Sequence, residues 1–210
     1  MNVEVVTIGD ELLLGFTVDT NGAYLARELA SIGIGVARRS TAGDAAGEIA
    51  AAVREALDRT GAVITTGGLG PTSDDLTKPA IAAIFGAEMR FDEAVWEALR
   101  TRWKAYGWPG DIPQSNRQQA FVPEGAAILP NRHGSAPGIW IEDSRGRWVA
   151  MLPGVPREMR GMLADELLPR LAARGSATTH VIASRTLRTV GIGESALADQ
   201  LGPLAAGVAG

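Results

Sequence analysis

The sequence predicts an α/β fold, a parallel sheet covered by helices on both faces. Two observations carry this. Through the first half of the chain, short β-branched runs alternate with longer segments of helical period, the rhythm of strand–helix–strand units joined by right-handed crossovers. Glycine also stands just beyond four expected strand ends, at Gly9, Gly43, Gly67 and Gly154. That is the edge where an open parallel sheet binds its ligands.

The elements come in order along the chain. Residues 3–8 are a compact β-branched run and predict a buried strand. Residues 21–32 place Leu25, Leu29 and Ile32 at helical spacing, and Gly33 stops the helix. A short strand over 34–38 precedes a helix over 45–57, whose stripe is Ile49, Val53 and Leu57. A third strand, 62–66, runs directly into Gly67-Gly68. Residues 76–85 and 92–106 are helical, the first through Leu76, Ala80, Ile81 and Ile84, the second through Val95, Leu99 and Trp103. The stretch 107–137, rich in Gly, Pro, Asn and Gln, predicts loop with a short helix near Ser115. Strands over 139–142 and 148–152 form a hairpin across Asp143-Ser144-Arg145-Gly146. A long helix over 155–173 tolerates Pro156 in its first turn. Beyond it, 178–190 alternates like a strand of another unit, and 194–201 is a short helix. The expected organisation is one site-bearing domain over 1–174, then a linker and strand–helix stub over 175–210.

Composition excludes several classes. With 46% hydrophobic and 21% charged residues, wholesale disorder is ruled out, and 210 residues can bury a core without staples. There is no cysteine, which removes disulfides, thiolate nucleophiles and zinc–thiolate sites. A net charge of -4 carries no nucleic-acid footprint. All but Lys78 and Lys104 of the 20 basic residues are Arg. The N-terminus lacks a basic leader region, and no apolar run approaches the roughly 18 residues of a membrane helix. A cytoplasmic protein with no membrane or nucleic-acid partner is expected. The helix stripes and the tryptophans between 96 and 108 suggest a homo-oligomer.

The residues just beyond each strand carry the chemistry: Gly9-Asp10-Glu11, Gly43-Asp44, and Gly67-Gly68-Leu69-Gly70-Pro71-Thr72-Ser73-Asp74-Asp75. Three glycines in four positions let a backbone approach a ligand closely and present N–H groups to an anion, usually phosphate. Two carboxylates downstream repel bare phosphate, but they suit a divalent cation bridging to it. Each acid also has a structural alternative. Asp74 or Asp75 can cap the helix expected at Leu76, and Asp44 can cap the next one with Glu48 as near-box support. Gly154 and Pro156 offer a second anion site or a plain helix start. Asn116, Gln118 and Gln119 can read a nucleobase or pterin edge or be solvated, and 131–138 suits a backbone wall. With His133 and His180 the only histidines, no Ser-His-Asp set assembles, and no GK[ST] follows the glycines.

Together, IGDELLLG with Asp19-Thr20-Asn21, TAGD, TTGGLGPTSDDLT, NRQQA, NRHGSAPG and LPGVPREM resemble the CinA N-terminal domain. That domain is similar to the molybdopterin-binding folds of MogA, MoaB and gephyrin. The resemblance spans about residues 1–174, and TVGIGES resembles the start of the domain that comes next in CinA. It implies a three-layer α/β/α domain with a mostly parallel sheet, and a metal-dependent ADP-ribose pyrophosphatase yielding AMP and ribose 5-phosphate. By motif, the two acids of the molybdopterin relatives fall on Asp44 and Asp75. The expected cofactor is Mg, Mn or Co, held by Asp75 with Asp74, Asp10 or Asp44. Gly67, Gly68, Gly70 and Thr77, with Gly154 and Asn116, would bind the nucleotide or pterin phosphate. Leu69 stands where the molybdopterin enzymes carry threonine, which favours the CinA branch. The sequence stops shortly after TVGIGES, so the deamidase activity of longer CinA proteins is not expected of it. Alternatives are a molybdopterin-binding or adenylylating protein, and a non-catalytic nucleotide-binding module.

Overall fold

A computed structural model describes residues 1–174, 186 and 188–206. Strands β1 (Asn2–Ile8), β2 (Gly35–Ala42) and β3 (Ala62–Thr66) lie side by side and parallel, with β1 in the middle and the short helix α1 (Asp10–Leu13) just beyond its end. β4 (Met89–Phe91) and β5 (Phe121–Pro123) form a separate antiparallel pair. β6 (Ala127–Leu129), β7 (Gly138–Glu142) and β8 (Trp148–Leu152) complete the main sheet in the order β2-β1-β3-β8-β7-β6. β8 runs parallel to β3, whereas β7 and β6 are antiparallel additions. The sheet is thus mostly parallel, as the sequence leads one to expect.

Alternation along each strand sorts the core into two layers. Val3, Val5, Ile64 and Leu152 face α2 (Thr20–Ser31) and α6 (Pro156–Met162) through Leu25, Leu29, Met159 and Met162. Val6, Ile8, Val63 and Met151 face α3 (Ala46–Thr60) and α4 (Thr77–Ile84) through Ile49, Val53, Leu57 and Ile81. A smaller cluster joins α5 (Glu93–Ala105) to the loop beyond it through Trp96, Leu99, Ile112 and Ala120. The one charged side chain of β1, Glu4, is 1% exposed on the α3 face. Arg59 of α3 meets it with a two-pronged pair, Nε and Nη2 donating at 2.8 Å each. That partner makes the burial of a carboxylate tolerable, and it raises the already high pKa of Arg59.

Several expectations need correction. β2 extends to Ala42, so Gly43-Asp44 comes immediately after it rather than after a gap. β4 falls between the helices expected over 76–85 and 92–106, and β5 and β6 fall where loop was expected. Each is three residues long, too short for periodicity to register. The helix expected over 155–173 is α6, a π turn over Leu163–Leu167 and α7 (Leu168–Ala173). Pro169 lacks the N–H that would close the α ladder there, and the helix widens ahead of it. The hairpin turn forms as expected, with the Asp143 carboxylate accepting from the Arg145 and Arg147 amides at 3.0 Å. The strand expected over 178–190 falls mainly on residues outside the described ones, and Arg188, Thr189 and Val190 lie in no strand. The last helix, α8, runs Glu194–Ala206.

Replacing Arg59 by Met should lower the urea midpoint of unfolding, because Glu4 is left buried without its partner. The double variant Glu4→Leu/Arg59→Met should recover most of that loss. Equal midpoints for Arg59→Met and the parent would show that the pair contributes nothing.

Candidate functional site

The carboxyl ends of β1, β2, β3 and β8 meet on one rim, and a cleft of about 430 Å³ opens there. Its floor is the loop after β3. Gly67 has φ +116° and its amide donates to Leu152 O at 3.1 Å, so the loop starts wedged between strand ends. A Cβ at Gly67 would collide with the carbonyl oxygen of Ile8, and one at Gly68 with the Thr77 hydroxyl. Only glycine fits this approach. Among the described residues, no hydrogen bond takes the Gly68 or Leu69 amide. The Leu69 side chain is 2% exposed and packs into the α3–α4 core layer.

Asp75 shapes the rest of the loop. Its carboxylate accepts from the Gly70 amide at 2.7 Å, the Thr72 amide at 2.8 Å and the Thr72 hydroxyl at 2.6 Å. It does not cap α4, whose N-cap is Leu76 with no side-chain cap bond; neither does Asp74. Asp44 is likewise no cap, since the N-cap of α3 is Ala45, without a side-chain bond. Instead the Asp10 amide donates to Asp44 Oδ2 at 3.0 Å and the Asp44 amide donates to Asp10 Oδ1 at 3.1 Å. This reciprocal pair locks the ends of β1 and β2 together. Glu48 accepts from the Gly43 amide at 3.2 Å.

Of the expected site residues, Gly67, Gly68, Gly70, Asp44, Asp74, Asp75 and Gly154 line the cleft. Asp10 stands behind Asp44 rather than in the lining. Thr77, expected at phosphate, is fully buried, and its hydroxyl donates to Gly67 O at 2.9 Å. It pins the loop from beneath. Asn116 is absent from the lining; in the 3-10 helix Gln114–Ala120 its amide donates to Gln119 Oε1 at 3.1 Å. Gln119 is the residue of that helix that lines the cleft, 1% exposed. The DTN motif is structural: Asp19 caps α2 through the Gly22 amide at 2.8 Å, and Asn21 donates to Gly154 O at 2.7 Å and to Thr66 Oγ1 at 3.1 Å.

Sequence reasoning missed Glu158. It comes from the first turn of α6 and lines the cleft while accepting from Asn131 at 2.6 Å. The signal was its place in the first helical turn after the Gly154 strand end. With Glu11, Asp44, Asp74 and Asp75 it brings the lining to five carboxylates, and among the described residues no Arg, Lys or His lines the cleft. An amide-bearing loop therefore faces a strongly acidic wall.

The family of the probable molybdopterin binding domain matches residues 4–173. A CinA-like protein of Gemmatimonas aurantiaca is 67% identical over all 210 residues, which cover 49% of that relative. The chain thus spans about half the length of the curated relatives it matches. The crystal structure of the protein CinA from Thermoplasma acidophilum superposes with a TM-score of 0.71 at 36% identity, covering 80% of this chain and 96% of that one. MoaB, a molybdopterin biosynthesis enzyme of Thermus thermophilus, shares the fold, with a TM-score of 0.54 at 21% identity over 86% of this chain and 98% of that one. With motifs, fold and rim geometry in agreement, the chain belongs to the probable molybdopterin binding domain family, among its CinA-like members.

Proposed function

We propose that the cleft binds a nucleotide pyrophosphate together with a divalent cation and hydrolyses it, with ADP-ribose as substrate and AMP and ribose 5-phosphate as products. The observation that carries this reading is the pairing of open Gly68 and Leu69 amides with five carboxylates and no basic side chain. Amides attract a phosphate, the carboxylates repel it, and a cation between them reconciles the two.

The donor set suits such an ion. Among the described residues no three His, Cys, Asp or Glu side chains gather into a ready-made metal cage. One or two carboxylates completed by ligand oxygens and water is how Mg²⁺ is usually held. Asp75 and Asp44 are the proposed holders, with Asp74 and Asp10 supporting them. When bound there, Mg, Mn or Co supplies charge neutralisation and Lewis acidity. The protein's own part is positional. Asp75 holds its loop closed through Gly70 and Thr72, Asp10 fixes Asp44, and the Gly68 and Leu69 amides orient phosphate oxygens. The buried Gln119 and the Ser135 wall face the non-phosphate part of the ligand.

A second reading, molybdopterin binding, is favoured by the family match and by the MoaB-like fold. In it the same amides take the pterin phosphate.

Purified protein with Mg²⁺, Mn²⁺ or Co²⁺ should release AMP from ADP-ribose; absence of AMP with every metal would sink the hydrolase reading. Tight pterin binding without turnover would establish the second one. Asp75→Asn and Asp44→Asn should each lower kcat by about 100-fold or more, and an unchanged rate in either would remove that residue from the site. Gly67→Ala should abolish the rise in melting temperature that ADP-ribose and metal confer on the parent, a rise worth about 2.7 kcal/mol at 100-fold excess over Kd. Retention of that rise would place the ligand elsewhere.

A further inference from the structure

Lys78 is one of only two lysines in a chain whose other basic residues are arginine. It is 2% exposed and lies on α4, one turn after Asp75. Its Nζ donates to three carbonyl oxygens, Gln118 O at 2.8 Å, Gln119 O at 3.0 Å and Phe121 O at 2.7 Å. These belong to the C-terminal end of the 3-10 helix Gln114–Ala120 and the residue beyond it. Carbonyls at a helix end lack intrahelical partners and attract positive charge. The remaining carbonyl there, Ala120 O, accepts from the Asp92 amide at 2.9 Å. An ammonium has three N–H donors on one atom, and here three acceptors converge on it. Burial presses the Lys78 pKa down to about 8, with the Asp75 charge opposing the fall.

The same helix end reaches the acidic loop. Gln118 Nε2 donates to Thr72 O at 2.9 Å and to Asp75 O at 3.1 Å. The backbone of the very segment that Asp75 folds is therefore gripped from outside, by a side chain whose own carbonyl is tied to Lys78.

We infer that Lys78 and Gln118 form a clamp that docks the 3-10 helix onto the 72–75 loop, fixing the Asp75 carboxylate and seating Gln119 in the cleft wall. Lys78 is a positioning residue: it touches no cleft-lining side chain's reactive atoms and acts through backbone. The shape of the cage explains why lysine stands here in an arginine-rich chain. A planar guanidinium spreads its donors over three nitrogens and cannot direct three N–H bonds from one point. The clamp itself rests on geometry alone, whereas its consequence for turnover rests on the hydrolase reading.

The test is residue-resolved amide exchange on the parent, Lys78→Met, Lys78→Arg and Gln118→Leu, with kcat and KM for ADP-ribose in parallel. In Lys78→Met and Gln118→Leu the Gly70 and Thr72 amides should exchange about tenfold or more faster, while those of Val149 and Ile141 in the sheet hold their rates. Lys78→Arg should behave like Lys78→Met. Acceleration spread evenly to Val149 and Ile141 would make Lys78 a core residue only, and full recovery in Lys78→Arg would refute the three-point cage. If Lys78→Met does not fold, Gln118→Leu decides, since it leaves the buried charge intact; unchanged Gly70 and Thr72 exchange there overturns the clamp. With an active parent, kcat in Gln118→Leu should fall and KM stay; an unchanged kcat refutes the positioning role. A parent that releases no AMP removes the hydrolase reading, and the exchange rates still judge the clamp.

Discussion

Everything at this rim depends on a backbone approach that leaves no room for a side chain. Gly67 sits against the Ile8 carbonyl on one side and Gly154 on the other, its amide bonded to the end of β8. Three strand ends thereby close on a single loop. A Cβ at Gly67 would force the strand ends to splay and would disrupt the cleft that Gly68 and Leu69 line. Thr77 secures the arrangement from below with a hydroxyl that is fully buried. Its hydrogen bond serves the loop instead of a ligand.

The electrostatics build on that frame. Among the described residues, five carboxylates ring the cleft without a compensating base in its lining. Such an arrangement is costly to hold together in the absence of counter-charge, because like charges in a partly desolvated cleft repel strongly. The fold offsets part of the cost by giving these acids amide partners. Asp75 takes the Gly70 and Thr72 amides and Asp44 that of Asp10, which stands behind the lining. These acids are held by short bonds to the backbone, which directs them before any ligand arrives. Lys78, one turn after Asp75, lies beneath the surface in a cage of carbonyls. It contributes order to the rim while leaving the cleft itself acidic.

Local signals were legible wherever one short segment contained both the geometry and the chemistry. The Gly67–Asp75 loop announces itself by three glycines and two acids in nine residues, and five of the residues singled out there line the cleft. The capping alternatives for Asp44, Asp74 and Asp75 were equally visible and did not materialise. The helices start one residue later or differently than pattern suggests, which turns the carboxylates toward neighbouring loops. Asn116 and Gln119 carry similar chemistry at nearby places in sequence. Three residues apart in a 3-10 helix, they share one face and bond to each other, and only the docking of the helix end makes Gln119 the one that lines the cleft. Glu158 comes from α6, far along the chain, and its role arises from the parallel pairing of β8 with β3.

Taken alone, the sequence determined the α/β class, the order of the main strands and helices, the glycine-bearing rim and the acids that stand on it. These are consequences of hydrophobic period and of backbone conformations that only glycine supports, and both are written over a few residues. The tertiary structure decided which acid bonds to which amide, that Thr77 faces inward, that Glu158 joins the cleft and that Lys78 is buried. The Asp10–Asp44 pair, Glu158 and Lys78 depend on where an element from a distant part of the chain comes to rest, while Asp75 and Thr77 depend on how the loop itself folds. Hydrogen-bond partners are chosen by distances of a few tenths of an ångström, and no local pattern specifies those before the sheet has closed.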